Sequence, residues 1–306
     1  MLMVRWSIHN KGCPGAASKW GLSMRHFIIV TNRVKDPQLT TTNLVREYLE
    51  EAGCACSVYA DEITAEQWGE ILKSQKKDAE GIIVLGGDGT LLRAAGDTVE
   101  SKIPVIGINL GTLGYLTEVE QCNLKPALRQ IVERNYTLEP RMLLSGTVMR
   151  NGEQIMDTRA LNDITITRNG RLQMLYFQIY VNGKLLKEYH ADGIIAATPT
   201  GSTGYNLSAG GPIVEPSAEV ILLTPICAHT LQTRSVILCP DDKIMIRIRE
   251  RADRETQPME VCFDGNRNLT LKPGDEVHIT RSIMTTYIMK LKETSFLDVL
   301  SRKMND

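Results

Sequence analysis

The sequence predicts a two-part protein, in which an α/β half built on an open parallel sheet precedes a half of mostly antiparallel β-structure. Up to about Leu138, short apolar runs alternate with segments of helical periodicity, a pattern typical of parallel sheets covered by helices on both faces. Beyond that point, segments of alternating apolar residues are separated by Asn-Gly pairs, which favour two-residue hairpin turns. The length of 306 residues suits about two domains of ordinary size.

Short apolar runs in the first half are predicted to be buried parallel strands, because such strands are covered on both faces. These runs are Phe27–Thr31, Cys54–Ala60, Gly81–Leu85 and Pro104–Leu110. Helical spacing of apolar residues predicts helices that include Leu44–Leu49, Ala65–Lys73, Leu91–Ala95 and Leu124–Val132. Gly53 is expected to end the first of these helices.

Hairpins dominate the prediction for the second half, with turns expected at Asn151-Gly152, Asn169-Gly170 and Asn182-Gly183. The predicted strands are Leu172–Val181, Gly193–Ala197, Ser235–Cys239, Lys243–Ile248, Leu269–Leu271 and Glu276–Thr280. A last helix is predicted over Ser295–Met304. We therefore expect an α/β domain of residues 24–138 plus about 288–306, and a β-rich domain of residues 139–287.

The composition excludes several classes of protein. Hydrophobic residues make up 42% and charged residues 23% of the chain, which excludes a disordered or fibrous protein. Lys and Arg number 35 against 36 Asp and Glu, so neither nucleic acid nor an acidic membrane is an expected partner. Seven irregularly spaced cysteines, with Cys54 and Cys56 unmatched by a second pair, predict reduced thiols in the cytoplasm and no protein-borne metal site.

The first candidate functional loop is Gly86-Gly87-Asp88-Gly89-Thr90, between a predicted strand and a predicted helix. Ligands of open α/β sheets bind at this edge, and glycines together with a helix N-terminus favour phosphate. The loop lacks the lysine and spacing of a Walker A motif. The structural alternative is a tight turn in which Asp88 caps the helix.

The second candidate loop runs from Thr198 to Tyr205, with the sequence TPTGSTGY. It follows the predicted strand Gly193–Ala197 and concentrates hydroxyl groups and backbone donors, while Pro199 stiffens its start. Such a loop suits a sugar or a phosphate, and the structural alternative is a Ser/Thr/Gly turn.

These loops carry a resemblance to the bacterial NAD kinases. GGDGT, NLGTLGYLTE at Asn109–Glu118, Asn162-Asp163 and DGIIAATPTGSTGYNLSAGGPI at Asp192–Ile213 match that family in order and spacing. The resemblance covers nearly all of the chain from Met24 onward. It implies a phosphofructokinase- and diacylglycerol-kinase-like α/β domain followed by a β-rich domain, and a homodimer or homotetramer.

The resemblance also implies an activity. The family transfers a phosphoryl group from ATP, or from inorganic polyphosphate, to the 2′-hydroxyl of the adenosine ribose of NAD, with a divalent metal that is usually Mg²⁺. Asp88 matches its catalytic aspartate, expected to take the proton of that hydroxyl. Tyr115 is expected near the adenine, Asn162 and Asp163 at the nucleotide hydroxyls, and Tyr205 against the nucleotide.

The full set of expected nucleotide-binding residues is Gly86, Gly87, Asp88, Gly89, Thr90, Arg93, Tyr115, Asn162, Asp163, Gln173, His190, Asp192, Thr200, Thr203, Gly204, Tyr205, Asn206, Leu207, Ser208 and Asn266. The chain departs from the family pattern where Asp163 replaces Glu, Gly204 replaces Ala and Ala228 replaces Pro. Asp264-Gly265 is interpreted either as a hairpin turn alone or as a turn close to the nucleotide.

Two other functions remain as alternatives. A lipid kinase of the diacylglycerol type shares GGDGT but not the TPTGST loop or the Asn162-Asp163 pair. A non-catalytic NAD-sensing module would keep the pocket, but it would have no need for Asp88 between intact glycines.

The leader Met1–Ser23 is expected to be disordered or to result from the chosen start codon. Its apolar residues are interrupted by Arg5, His9 and Lys11, so it lacks the apolar core of a signal peptide. A chain that starts at Met24 is therefore predicted to keep full activity and solubility. Loss of either, measured by turnover and by the soluble fraction after expression, would contradict this expectation.

Overall fold

The computed structural model describes residues 25–60, 67, 68, 70, 71, 79–111, 114–117, 119–170, 174–229, 234–249, 259–291 and 295–305. The leader Met1–Ser23, the site residue Gln173 and most of the helix predicted over Ala65–Lys73 lie outside these residues.

The first half is an α/β unit, as the strand and helix periodicity predicts. Its elements are β1 (His26–Thr31), α1 (Thr40–Glu51), β2 (Ala55–Tyr59), β3 (Ala79–Gly86), α2 (Asp88–Thr98), β4 (Val105–Asn109), β5 (Val119–Glu120) and α3 (Leu124–Val132). Strands β2, β1, β3 and β4 lie side by side in that order and are parallel. The chain moves from β1 to β2 on one side and then to β3 on the other, which makes the carboxyl ends of β1 and β3 a topological switch point.

Both faces of this parallel sheet are buried. Ile82 and Val84 of β3 belong to the apolar cluster on one face, which also contains Leu91 of α2. Ile83 and Leu85 of the same strand belong to the cluster on the other face. Because neighbouring side chains of a strand point to opposite faces, a strand covered on both sides needs an unbroken apolar run, and this explains why β1 and β3 were recognisable from sequence.

The second half is antiparallel. Its elements are β6 (Tyr136–Arg150), β7 (Glu153–Ala160), β8 (Asp163–Arg168), β9 (Leu175–Val181), β10 (Lys184–Ala191), β11 (Gly193–Ala197), α4 (Tyr205–Ser208), β12 (Ile221–Ile226), β13 (Val236–Leu238), β14 (Ile244–Ile248), β15 (Met259–Phe263), β16 (Arg267–Leu271), β17 (Glu276–Leu291) and α5 (Phe296–Asn305). Six of the strands form a sheet in the order β13-β12-β11-β8-β15-β16. Ile164 and Ile194 of that sheet pack with Phe177 and Ile246 of the other sheet in one apolar core.

Strand β17 joins the two halves. It is antiparallel to β14 at its start and parallel to β4 near its end, where Ile288 pairs with Val105. It is also antiparallel to β6 along nearly its whole length. The parallel unit and part of the β-rich half therefore share one 11-stranded sheet. The predicted strand Glu276–Thr280 is only the first part of β17, because the register shifts between Arg281 and Thr285 and the apolar alternation is interrupted there.

Two of the three predicted Asn-Gly hairpin turns are confirmed, and one is wrong. Asn151-Gly152 and Asn182-Gly183 have positive φ at both residues and join β6 to β7 and β9 to β10. The hairpin predicted at Asn169-Gly170 is wrong, because β8 and β9 belong to different sheets and residues 169–174 separate them. Asp264-Gly265, with φ of 50° and 70°, is a tight turn between β15 and β16.

The chain ends against the first half. Lys303 of α5 places its Nζ 4.5 Å from the centroid of the Tyr115 ring. Arg302 lies 3.6 Å from Glu120 of β5. Within the described parts of the chain, no helix combines the length and the apolar character that crossing a bilayer requires.

Candidate functional site

The first glycine-rich loop lies at the switch point of the parallel sheet. Strand β3 ends at Gly86 and helix α2 begins at Asp88. Asn32, which follows β1, donates from its backbone N to the carbonyl of Leu85 at 2.8 Å and from its Nδ2 to Thr90 Oγ1 at 3.2 Å. The loop therefore presents a helix N-terminus and backbone donors at the edge where such sheets bind anions.

Asp88 does not cap its own helix. Its Oδ2 accepts hydrogen bonds from the backbone N–H of Tyr115 at 2.7 Å and of Leu116 at 3.2 Å. Its Oδ1 accepts from the N–H of Thr117 at 3.0 Å and from Thr117 Oγ1 at 2.9 Å. A Cβ on Gly114 would overlap this carboxylate, so the loop after β4 closes on Asp88 only because residue 114 has no side chain.

Lys35 is a basic residue of this edge that sequence reasoning missed. Its Nζ lies 2.8 Å from the position a Cβ would take on Gly87 and 3.3 Å from the corresponding position on Gly111. An ammonium group therefore adjoins the loops that follow both β3 and β4. The signal was available, because Lys35 closely follows a predicted strand whose carboxyl end meets the same sheet edge.

The second loop is built on the turn between β7 and β8. Thr198 donates from its backbone N to Asn162 O at 2.8 Å and from its Oγ1 to Leu161 O at 2.5 Å. A Cβ on Gly201 would overlap the backbone of Asn162. The hydroxyl-rich loop and the predicted Asn162-Asp163 pair are thus packed together, as a shared binding site requires.

Asp264, at the tip of the β15–β16 hairpin, holds this turn from the other side. Its Oδ2 accepts from the N–H of Leu161 at 2.7 Å, and its Oδ1 accepts from the N–H of Asn162 at 2.7 Å and of Asp163 at 3.1 Å. Of the two interpretations of Asp264-Gly265, the hairpin turn is confirmed, and its tip contacts the residues predicted to hold the nucleotide.

Burial raises the pKa values of the two aspartates, Asp163 and Asp264. It raises the pKa of Asp163 to about 7, with the neighbouring Asp264 as a second cause. Burial also raises the pKa of Asp264 to about 6, although its three backbone donors and Arg267 oppose the shift. Because Asp264 has donors and Asp163 has none among the described residues, a single negative charge on the pair resides on Asp264. Asn162 adds a buried Oδ1 that no described donor reaches.

Three cavities lie along α2 and share lining residues, and we refer to them together as the groove along α2. The first, of about 250 Å³, is lined by Asn32, Thr90 and Arg93 among others. The second, of about 220 Å³, also contains Arg93 and reaches Asp264. The third, of about 650 Å³, shares Leu92 and Asp264 with the second. Asp88 lines none of these three cavities, since its carboxylate faces the loop after β4.

Several predicted residues meet in the groove. The third cavity is lined by Asn162, Asp163, Asp192 and Tyr205, and the second by Asn266. Asp192 is paired with Arg168, whose Nε lies 3.1 Å from Asp192 Oδ1. Arg168 also lines the third cavity and was missed, because one arginine at the end of a strand has no distinguishing pattern in the sequence.

Other predicted residues lie outside these cavities. Asn206 is fully buried. Its Nδ2 donates to Ser202 O and Pro212 O, and its Oδ1 accepts from Thr224 Oγ1, so Asn206 holds the hydroxyl-rich loop in place. The exposed His190 has its ring centroid 4.3 Å from that of Tyr176. The Tyr115 ring faces Lys303 rather than one of the three cavities. Direct nucleotide contact by these residues stays a prediction.

Comparison with known proteins gives matches over both halves of the chain. The model of the ATP-NAD kinase N-terminal domain matches residues 27–136, and that of the ATP-NAD kinase C-terminal domain matches residues 161–291. An NAD kinase of Agathobacter rectalis is 43% identical over 284 residues, which is 92% of this chain and 99% of that protein. An NAD kinase of Lachnoclostridium phytofermentans is 40% identical over 285 residues, with 92% and 100% covered.

Solved structures show the same fold. Yeast NADH kinase complexed with NADH aligns with a TM-score of 0.79 at 23% identity, over 94% of this chain and 89% of that one. An NAD kinase from Archaeoglobus fulgidus in complex with ATP aligns with a TM-score of 0.72 at 24% identity, over 92% and 98%. Together with the family models and the bacterial relatives, these matches show that the chain belongs to the NAD kinase family.

Proposed function

We propose that this protein is an NAD kinase that transfers the terminal phosphoryl group of ATP, or of polyphosphate, to the 2′-hydroxyl of the adenosine ribose of NAD, giving NADP. The observation that carries the proposal is the groove along α2. Its lining includes Thr90 and Arg93 in one cavity and the Asn162-Asp163 turn in another. A donor phosphate at one end and a ribose at the other end are then held beside one helix.

The third cavity has the chemistry of a ribose site. Asn162 offers a buried acceptor, Oδ1, that no donor of the described residues reaches. Asp163, whose pKa is raised to about 7, is about half protonated at neutral pH, and its protonated form offers both a donor and an acceptor. Adjacent hydroxyl groups of a ribose donate and accept in the same way, so they satisfy both groups. A buried orphan acceptor costs free energy until such a donor arrives.

The opposite end of the groove suits the phosphates of the donor. Thr90 and Arg93 lie in the first turns of α2, and the Lys35 ammonium adjoins the glycine loops. A helix N-terminus, backbone donors and two cations give a polyphosphate chain both charge and directed hydrogen bonds. These groups account for phosphate binding by a chain whose net charge is only -1.

We assign Asp88 as the base that takes the proton from the ribose hydroxyl. A carboxylate offers about four lone-pair positions, and the four donors of the Tyr115–Thr117 loop occupy them. Proton transfer therefore requires that at least one donor is released when NAD binds. The Thr117 hydroxyl can turn away by a side-chain rotation alone, so it is the donor that leaves most readily.

A divalent ion would be held chiefly by the phosphates of the phosphoryl donor, ATP or polyphosphate. In the described residues, no group of three or more His, Cys, Asp or Glu side chains could hold a metal. Mg²⁺ is commonly bound through substrate phosphates with one or two carboxylates and its own waters. When bound, it would neutralise charge on the phosphate oxygens.

The cytoplasmic location and the homo-oligomeric state are part of the proposal. Cys54, Cys56, Cys122, Cys227, Cys239 and Cys262 are free thiols, which suits a reducing compartment. Strands β10 and β13 end their sheets and expose Leu185 and Ile237, and such edges are sites where copies of a chain can pair. No observation favours the lipid kinase or the sensing module.

The proposal predicts that the protein forms NADP from NAD, ATP and Mg²⁺, and that Asp88→Asn abolishes most of this activity. Loss of a general base lowers kcat by about 10²–10⁴-fold. Asp88→Asn is expected to keep the fold, but its NH2 group cannot accept the hydrogen bonds that one carboxylate oxygen accepts from the Tyr115–Thr117 loop, so the Kd for NAD is measured beside kcat to separate loop displacement from loss of the base. Thr117→Val, which removes one hydroxyl but not the carboxylate, should keep most of the turnover. Near wild-type kcat in Asp88→Asn would rule out Asp88 as the base.

Gly114→Ala is predicted to impair turnover by displacing the Asp88 carboxylate. The added methyl group overlaps the carboxylate, and misplacing a reacting group by about 1 Å can cost about 10²-fold in rate. Gly96→Ala is the matched control, since a Cβ there meets nothing within 4 Å. Gly96 lines the second cavity but lies eight residues beyond Asp88 on α2, so this variant should change kcat far less than Gly114→Ala does, and it should raise Tm slightly, because alanine favours a helix interior by roughly 0.5–1 kcal/mol. Equal kcat for both variants would contradict the prediction.

Asp163→Asn is predicted to weaken NAD binding and to stabilise the free protein increasingly as the pH rises. The pKa of Asp163 is raised from 3.8 to about 7, so between these values the native state binds more protons than the unfolded state. The free energy of unfolding of the wild type therefore falls as the pH rises through this window, by about 1.4 kcal/mol per pKa unit, and levels off above it.

Asparagine does not titrate, so the Tm difference between Asp163→Asn and the wild type should grow from pH 4 to pH 7 and then stay constant. Thermal unfolding across this pH range measures the effect, and titration with NAD measures the affinity. A Tm difference that does not change with pH would show that Asp163 is charged in the native protein at all of these pH values.

A further inference from the structure

We propose that the β15–β16 hairpin positions the acceptor half of the site against Asp88, with Asp264 and Arg267 as its positioning residues. The inference rests on the proposed function, because it concerns how the ribose-binding turn is held for that reaction. The hairpin contacts the Leu161–Asp163 turn with its tip and contacts α2, the helix that begins at Asp88, with Arg267.

The tip of the hairpin both accepts hydrogen bonds from the Leu161–Asp163 turn and donates one to it. The Asp264 carboxylate accepts the N–H groups of Leu161, Asn162 and Asp163. The backbone N–H of Asp264 in turn donates to Asp163 O at 3.0 Å. The positive φ of Asp264 and Gly265 turns the chain within two residues. Hydrogen bonds to a charged acceptor are about twice as strong as neutral ones, so these contacts fix the backbone from which Asn162 and Asp163 reach the third cavity.

The same turn supports the hydroxyl-rich loop. Thr198 bonds to Leu161 O and Asn162 O, while the Asp264 carboxylate holds the N–H groups of the same two residues. Loss of the Asp264 carboxylate would therefore loosen the Asn162-Asp163 pair and the start of the TPTGST loop together.

The second contact of the hairpin reaches the catalytic helix. Arg267 forms an ion pair with Asp97, whose side chain is 8% exposed, and its Nη1 donates to Thr158 Oγ1 at 3.0 Å. Burial raises the pKa of Asp97, and Arg267 opposes that shift, so the pair compensates a carboxylate that water scarcely reaches. Asp97 and Asp88 lie on one helix, about 13 Å apart along its axis at 1.5 Å per residue.

The two contacts predict different kinetic effects. The tip determines where Asn162 and Asp163 lie, so its loss weakens NAD binding. The ion pair with Asp97 determines how far this turn lies from Asp88, so its loss slows the chemical step with little change in NAD affinity. A hairpin that only stabilised the fold would lower Tm without this division.

The first test is Asp264→Asn, which keeps the size of the side chain but loses its charge. Its Kd and KM for NAD should rise by about tenfold or more, since bonds to charged groups are each worth more than neutral ones, while KM for ATP stays within about twofold. Asp264→Glu should restore part of the affinity. The matched control is Asp275→Asn, because Asp275 is a buried turn aspartate that binds the N–H of Lys272 and Arg150; it should lower Tm and leave KM for NAD unchanged.

The second test is Arg267→Lys, which leaves the tip intact and so also serves if Asp264→Asn does not fold. It keeps the positive charge but loses the planar fork of the guanidinium. We expect kcat to fall by about tenfold with the Kd for NAD within about twofold of the wild type. Variants of both residues that change Tm alone would overturn the inference.

Two different measurements test the proposed reaction and the positioning role of the hairpin. A wild-type protein that forms no NADP would contradict the proposed reaction. Direct titration with NAD would still show whether Asp264→Asn loses affinity that the Asp275→Asn control keeps, and equal affinity in the two variants would overturn the positioning role.

Discussion

Two aspartate carboxylates, each of which binds three consecutive backbone N–H groups, determine the shape of the site. Asp88 binds those of Tyr115, Leu116 and Thr117, and Asp264 binds those of Leu161, Asn162 and Asp163. In the described part of the chain, these N–H groups donate to the two carboxylates rather than to a neighbouring strand, and buried donors without a partner are costly. The carboxylates therefore replace secondary structure at the two places where the protein must leave its backbone irregular. The groove along α2 lies between these two fixed loops.

Two polar groups in this groove lack favourable partners among the described residues of the free protein and would gain them in the proposed complex with the nucleotide. The Asn162 Oδ1 is buried without a described partner, and Asp163 is buried close to a second carboxyl group. Both features reduce the stability of the free protein, and in the proposed function both would be relieved when the hydroxyl groups of a ribose bind. This is the usual balance between stability and activity at a binding site. The shorter Asp163, where the family has Glu, lines the third cavity together with Asn162.

Much of the fold was predictable because its signals are local. The apolar runs of β1 and β3, the positive-φ turns at Asn151-Gly152 and Asn182-Gly183, and the position of the GGDGT loop depend on residues close in sequence. The features that were missed depend on distant contacts. Asp264 is about 100 positions from the N–H groups it binds, and no periodicity marks such a pairing. The wrong hairpin at Asn169-Gly170 has the same origin, because an Asn-Gly pair indicates a turn but not which sheet the next strand joins.

The close packing of two loops against Asp88 and Asn162 has a consequence for specificity. Gly114 allows the loop after β4 to close on Asp88, and Gly201 allows the hydroxyl-rich loop to close on Asn162. With its four lone pairs occupied, Asp88 in the proposed role has no free position with which to deprotonate water. A nucleotide that displaces the Thr117 hydroxyl would create that position at the moment its own ribose hydroxyl arrives. The same contacts that stabilise the empty site would then limit phosphoryl transfer to water and favour transfer to the bound sugar.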